Sequence, residues 1–187
     1  MTTDTKQRIL LTARRMVQAR GYNALSFREI AKDVGIKSAG VHHHFPTKGD
    51  LGAALARQYT EEAVELLHDL LRTFNNEHET LERYTSVFRS ALVQDNRMCL
   101  CGIMAAEHHD LPDEVRLEVG RFTEVNVDWL CKILSFRDEA RDAQSIKRQA
   151  LAIFASIEGA QLVARGRGDV SVFDDTVRAY RNAGLFA

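Results

Sequence analysis

Three short runs in this chain carry residue types that do chemistry. His42, His43 and His44 are consecutive within GVHHHFPTK, and histidine is both a common metal ligand and a proton carrier near neutral pH. Cys99 and Cys101 stand two apart in MCLCGIMAAE, a spacing that invites thiol or metal chemistry. Glu65 and His68 form one Glu-x-x-His, the unit that di-iron helical bundles use twice, together with two further Glu. Each chemistry makes a geometric demand. Consecutive side chains on a helix point about 100° apart, so three in a row cannot converge on one ion. A lone C-x-C offers too few ligands for zinc. No second Glu-x-x-His exists, and Glu107-His108-His109-Asp110 lacks the spacing. With no nucleophile motif and no Gly-rich phosphate loop, the sequence predicts no enzyme, no metal and no cofactor.

The elements that would carry these residues are helices. The chain has 187 residues, 45% hydrophobic and 27% charged, the profile of a soluble protein with a core. No apolar run approaches the roughly 18–20 residues that span a bilayer, so no membrane association is expected. MTTDTKQRILLTARR at the start lacks the features of a secretory signal. Three cysteines (Cys99, Cys101, Cys131) are an odd count, which points to a reducing, cytoplasmic setting rather than a disulfide framework. Helical spacing recurs throughout and strand alternation is absent. Ile9, Ala13, Met16 and Val17 mark a first helix closed by Gly21. Ser26 and Glu29 form a capping box for a second, with Leu25 and Ile30 as its hydrophobic staple, and Gly35 stops it. A third starts near Ser38 as N-cap and ends about His44 or Phe45, because the residue before Pro46 leaves the α region. Thr47 and Asp50 cap a fourth, running to Phe74. Further helices are expected near 79–94, 99–109, 112–135, 143–165 and 172–184, with Gly166-Arg-Gly168 breaking the last pair. This is an all-α chain of about nine helices.

Charge divides it. Residues 1–48 hold nine Lys or Arg against three acids, a net of +6, whereas the remainder nets −7. A basic head on an acidic body suggests that the head meets a polyanion. Within the head, small and apolar residues are spaced for two short helices crossing at a tight turn. Ala31 sits at the crossing, Gly35 can take the left-handed conformation, and Val41 packs the second helix back, with Ile30, Val34 and Ile36 completing a small core. This is a helix-turn-helix, whose second helix enters the DNA major groove. On that helix Val41 and Phe45 mark the buried side. His44 lies within about 60° of Val41 and should tuck partly inward, while His42 and His43 share the outward arc with Ser38 and Ala39.

The stretch RILLTARRMVQARGYNALSFREIAKDVGIKSAGVHHHFPTKGDL (8–51) resembles the N-terminal domain of the TetR family of transcriptional repressors. Gly21-Tyr22, Ser26, Ile30, Ala31, Val34, Gly35, Ile36, His44, Phe45, Lys48 and Leu51 match the family pattern. His42 departs from it, standing where the family usually has Tyr. Because histidine titrates near neutral pH and tyrosine does not, this departure makes operator affinity a function of pH. The resemblance implies residues 1–48 as the DNA-binding domain and 49–187 as a helical effector-binding and dimerisation domain. It implies contacts to double-stranded DNA from Ser26, Arg28, Lys37, Ser38, Ala39, His42 and His43. Lys48 would bind phosphate together with the free N–H groups at the start of the fourth helix. Thr2, Thr3 and Lys6 could form an arm.

In the body, Leu151, Phe154, Ala155, Glu158, Gly159, Leu162 and Val163 place a broad stripe on one helix. Val172, Val177, Tyr180, Ala183 and Leu185 supply the next. In the family such positions form a four-helix homodimer seam, which would pair the half-sites of a palindromic operator. A small-molecule effector held noncovalently would lie among helices four to eight, with Phe88, Leu92, Met98, Met104, Phe122, Trp129, Phe154 and Gln161 as lining residues. MCLCGIMAAE also resembles the start of the sixth helix in a TetR subgroup that responds to electrophiles or oxidants through a nearby cysteine. That resemblance implies an alternative, a thiol sensor acting through Cys99 or Cys101. Two buried cysteines acting as small apolar side chains is the plainer account of the pair.

Overall fold

A computed structural model of the chain describes residues 2–73, 76–136 and 142–185, with the side chains of residues 2 and 3 left out. Among the described residues there are nine α-helices and no strand: α1 (Thr2–Arg20), α2 (Phe27–Val34), α3 (Ser38–His44), α4 (Lys48–Thr73), α5 (Glu77–Val93), α6 (Leu100–Ala106), α7 (Asp113–Ser135), α8 (Ala143–Arg167) and α9 (Val170–Asn182). Short 3₁₀ turns occupy Tyr22–Ala24 and His108–Asp110. None of the described helices is long and apolar enough to cross a membrane. The residues gather into two compact units: Met1–Glu61 with Leu100–Phe122, and Glu62–Cys99 with Thr123–Ala187.

In the first unit, α1 presents Ile9, Ala13, Met16 and Val17 inward, and all four are buried. Ile30, Ala31 and Val34 from α2, Val41 from α3 and Phe45 after it join them. Leu51, Leu55, Leu100, Met104, Leu111 and Val115 continue the same core. Gly35 takes φ 75, ψ 35 and caps α2 through its N–H, a left-handed conformation that any side chain would strain. Ser26 accepts the Glu29 N–H, as a cap should. The Glu29 carboxylate does not close the box, because it pairs with Arg20 at 2.9 Å. The cap of α3 is Lys37, with no side-chain bond, and Ser38 is already inside the helix. Phe45 is extended (φ −138, ψ 98), as its place before Pro46 demands. Thr47 and Asp50 form a reciprocal cap for α4: Thr47 N–H donates to Asp50 Oδ2 and Asp50 N–H to Thr47 Oγ1, each at 3.0 Å.

The second unit packs α5, α8 and α9 on one another. Its core holds Leu81, Tyr84, Phe88, Leu92, Trp129, Leu130, Leu134, Ile153, Phe154, Ile157, Phe173 and Val177. Trp129 spends its indole N–H on the Leu67 carbonyl at 2.8 Å. Several ends differ from the periodicity. α6 is shorter than 99–109, since His108–Asp110 tightens into a 3₁₀ turn. α8 runs through Gly166 and is stopped by Gly168, whose N–H closes onto Ala164 and Arg165. α9 begins at Val170 on an Asp169 cap. The expected end of α4 at Phe74 lies outside the described residues.

Candidate functional site

The exposed face of α3 is built by burying its other side. Val41 is fully enclosed and Phe45 nearly so, which leaves Lys37, Ser38, Ala39, His42 and His43 exposed and His44 half-buried. Arg28 is exposed and Ser26 half-buried with its hydroxyl on the Glu29 N–H. Arg8 ties α1 to the end of α2 by donating to the Val34 carbonyl at 2.5 Å. His42 is more constrained than its exposure suggests. Its ring lies 4.6 Å from that of Phe27, and Nδ1 is 3.3 Å from the Pro46 carbonyl. A carbonyl only accepts, so Nδ1 is the donor in that contact. Neither Phe27 nor Pro46 was singled out as a support for His42 by spacing.

Lys48 is held by contacts within the first unit. Its ammonium donates to the Asn23 carbonyl at 3.1 Å and lies 4.6 Å from the Tyr22 ring centre. Burial lowers its pKa, opposed by Glu107 and Asp110. The helix end beside it is closed by Asp50, which puts a carboxylate where an anion was expected. Lys48 is thus a strut of the first unit. Lys6 and Thr2 are helical rather than an extended arm; Lys6 sits 5.7 Å over Phe45, and the side chains of Thr2 and Thr3 lie outside the described residues.

That strut belongs to a join that sequence spacing does not reveal. The Glu107 carboxylate, just after α6, accepts the backbone N–H groups of Tyr22 and Asn23. Asp110 accepts the Asn23 side-chain amide at 2.6 Å. Gly21, at φ 88, has no room for a side chain, since a Cβ there would sit 2.6 Å from a Glu107 oxygen. The turn between α1 and α2 is therefore held by an acid 85 residues away.

The expected effector residues fall into two groups. Cys101, Met104 and Phe122 are buried in the first unit, where the Phe122 ring is 5.2 Å from Tyr59. Phe88, Leu92, Met98, Cys99, Trp129, Phe154 and Gln161 are buried in the second. There Gln161 accepts the Cys99 N–H at 2.8 Å and donates to the Phe88 carbonyl at 2.7 Å. Tyr84 donates to Asn126 at 2.9 Å. Aromatic rings surround them: Tyr84 to Trp129 at 4.9 Å, Tyr84 to Phe88 at 5.3 Å, Phe88 to Phe154 at 6.4 Å. Cys99 and Cys101 are 1% and 2% exposed. No group of three or more His, Cys, Asp or Glu among the described residues could hold a metal.

The stripe on α8 also divides. Leu151, Leu162 and Val163 are 51%, 54% and 54% exposed, and Ala155 and Gly159 are exposed beside them. Phe154 and Val177 instead face the core, and Tyr180 is half-buried. Glu158 carries both carboxylate oxygens buried; burial pushes its pKa up to about 7, against a smaller pull from the Cys99 thiol. Phe154 and Val177 are thus corrected from seam surface to interior, whereas Glu158 is half-buried with its carboxylate turned inward.

Comparison with known proteins decides the family. Residues 9–55 match the family described as bacterial regulatory proteins, tetR family. A TetR-family transcriptional regulator from Agrobacterium tumefaciens is 30% identical over all of both chains, with a TM-score of 0.90. The chain belongs to the TetR family. Another TetR regulator, from Legionella pneumophila, is also 30% identical, over 95% of this chain and 96% of that one, at a TM-score of 0.88. The uncharacterized HTH-type transcriptional regulator YxaF of Bacillus subtilis is 29% identical over 54% of this chain and 52% of its own length, so the match spans about half of that relative. As a TetR-family member the chain is an all-α, helix-turn-helix DNA-binding transcription regulator, with its reading domain at the N-terminus and a helical domain following.

Proposed function

We propose that this regulator is a cytoplasmic homodimeric repressor, released from a palindromic operator by a small molecule. Residues 1–48 read DNA, and 49–187 bind effector and pair the subunits. The observation that carries the reading is the exposed face of α3, set by a buried Val41 and Phe45 within a head of net charge +6. Lys37, Ser38, Ala39, His42 and His43 are the reading residues. Arg28 and Ser26 meet the backbone. The exposed apolar row Leu151, Ala155, Gly159, Leu162 and Val163 supports pairing of two copies.

The effector is bound noncovalently by the polar and aromatic residues around Gln161. A thiol sensor needs an accessible cysteine whose thiolate is favoured. Cys99 is enclosed, which denies a reagent access to its sulfur. Selection of bound sequences from a random DNA pool tests the whole reading. Two inverted half-sites should emerge, centred about one helical turn apart or a multiple of it. Affinity for them should fall steeply with salt, as counterion release requires. Enrichment of nothing, or of a single half-site bound by one copy, would sink it.

A further inference from the structure

The two ring nitrogens of His42 are not equivalent. Nδ1 lies 3.3 Å from the Pro46 carbonyl. That oxygen can only accept, so Nδ1 keeps its proton whether the ring is neutral or charged. The ring packs against Phe27 at 4.6 Å between centres. Nε2 has no partner among the described residues, on a side chain exposed opposite the buried Val41 and Phe45. The charged or titratable groups on the surrounding elements are Arg28 and Glu29 on α2, Lys37 and His43 on either side along α3, and Asp50 on α4 beyond Pro46. Both acids are engaged elsewhere, Glu29 on Arg20 at 2.9 Å and Asp50 on the Thr47 hydroxyl at 2.8 Å. The ring of His43 meets that of His44 instead, at 5.4 Å. With Nδ1 committed as a donor, Nε2 is the one variable left. It accepts when the ring is neutral and donates when the ring is protonated, and imidazole crosses between these forms near neutral pH.

We propose that His42 reads one operator position with a polarity set by pH: when neutral it takes the amino group of cytosine or adenine, and when protonated it takes the acceptor edge of guanine. This deepens the reading of α3 given above and rests on it. The major groove displays the two kinds of edge separately, amino donors on cytosine and adenine and the N7 and O6 acceptors on guanine. A histidine acting only through its charge would strengthen binding to every sequence alike as pH falls, since phosphate contacts carry no base information. A ring pinned at Nδ1 does something different, because the base it prefers changes. Phe27 and the Pro46 carbonyl are the positioning groups. They fix the plane of the ring, so that Nε2 addresses one base pair.

The test is selection of duplexes from a random pool by the full chain at pH 8 and at pH 6, with the salt held fixed. The same inverted half-sites should emerge at both, with one position in each moving from cytosine or adenine at pH 8 to guanine at pH 6. Two operators differing only at that position should then exchange order in fluorescence anisotropy, their affinity ratio changing by roughly tenfold between the two pH values. His42→Gln carries an amide that donates and accepts at any pH, so it should select one base set at both. Far-UV circular dichroism and thermal melts confirm that this variant folds. Long-range proton–nitrogen spectra of the free protein at pH 8 should show Nδ1 protonated and Nε2 bare. The opposite tautomer, half-sites of identical sequence at the two pH values, or a base change that persists in His42→Gln would each overturn the proposal. Half-sites of unchanged sequence would remove this inference alone. No half-site at either pH would remove the operator reading and this inference with it.

Discussion

Glu158 shows how one residue's environment becomes a property of the whole fold. Its carboxyl is protonated more readily when folded, at about 7, than in a chain open to water, where the ordinary value is 4.5. The sign follows from linkage. A raised folded value favours the native state below the unfolded value, and that benefit is lost as pH rises towards the folded one. Above about 7 the full cost of burying the charge is present. Glu158→Gln removes the titration, so at pH 8 it should stabilise the protein by up to about 3 kcal/mol. At pH 4.5 the gain should shrink to a few tenths of that. Urea unfolding at the two pH values checks this, and a shift of the same size at both would show that ionisation is not the cause. His42 is the opposite case, a residue fixed by its neighbours yet left open. Phe27 and the Pro46 carbonyl hold one edge of the ring, and the other edge is free to meet DNA.

At the scale of elements, the helix-turn-helix depends on a turn that only one residue suits. Gly35 is at φ 75 with open space where a Cβ would stand, so Gly35→Ala meets backbone strain without a clash. The expected cost is about 1–2 kcal/mol, read as a lower melting temperature with helix content unchanged below the transition. The head was legible in the sequence for this reason: its rules are local. Ser26, Gly35, Pro46 and the Thr47–Asp50 pair each act within four residues, and each appears where spacing put it. Where two local rules competed, spacing chose wrongly. Ser38 is a good cap by type, yet Lys37 takes the position because Gly40 N–H closes onto the Lys37 carbonyl at 2.8 Å. The body was less legible. The apolar stripe of α8 wraps far enough to include Leu162 outside and Phe154 inside, and a periodic pattern cannot separate a core face from a docking face. The contacts of Lys48 to Asn23 and Tyr22 were not legible, because a lysine at a helix start carries no mark of what it pairs with.

For the molecule as a whole, the proposed pairing of two copies rests on the exposed apolar row of α8. Placing two carboxylates there, with Leu162→Glu and Val163→Glu together, should yield monomers by light scattering without loss of helix content. Operator affinity should fall by roughly 10²-fold or more, since each copy would then bind one half-site without its tethered neighbour. Unchanged mass would remove this row from the interface. One further feature extends beyond packing. Glu107 accepts two backbone N–H groups of the turn that leads into the reading helices. Those donors belong to the backbone, so ordinary side-chain changes at positions 22 and 23 leave them in place and unsatisfied once the carboxylate is lost. In genetic terms, a defect at position 107 would be scored as a failure to read DNA, although the residue lies in a different region of the sequence from the reading helices.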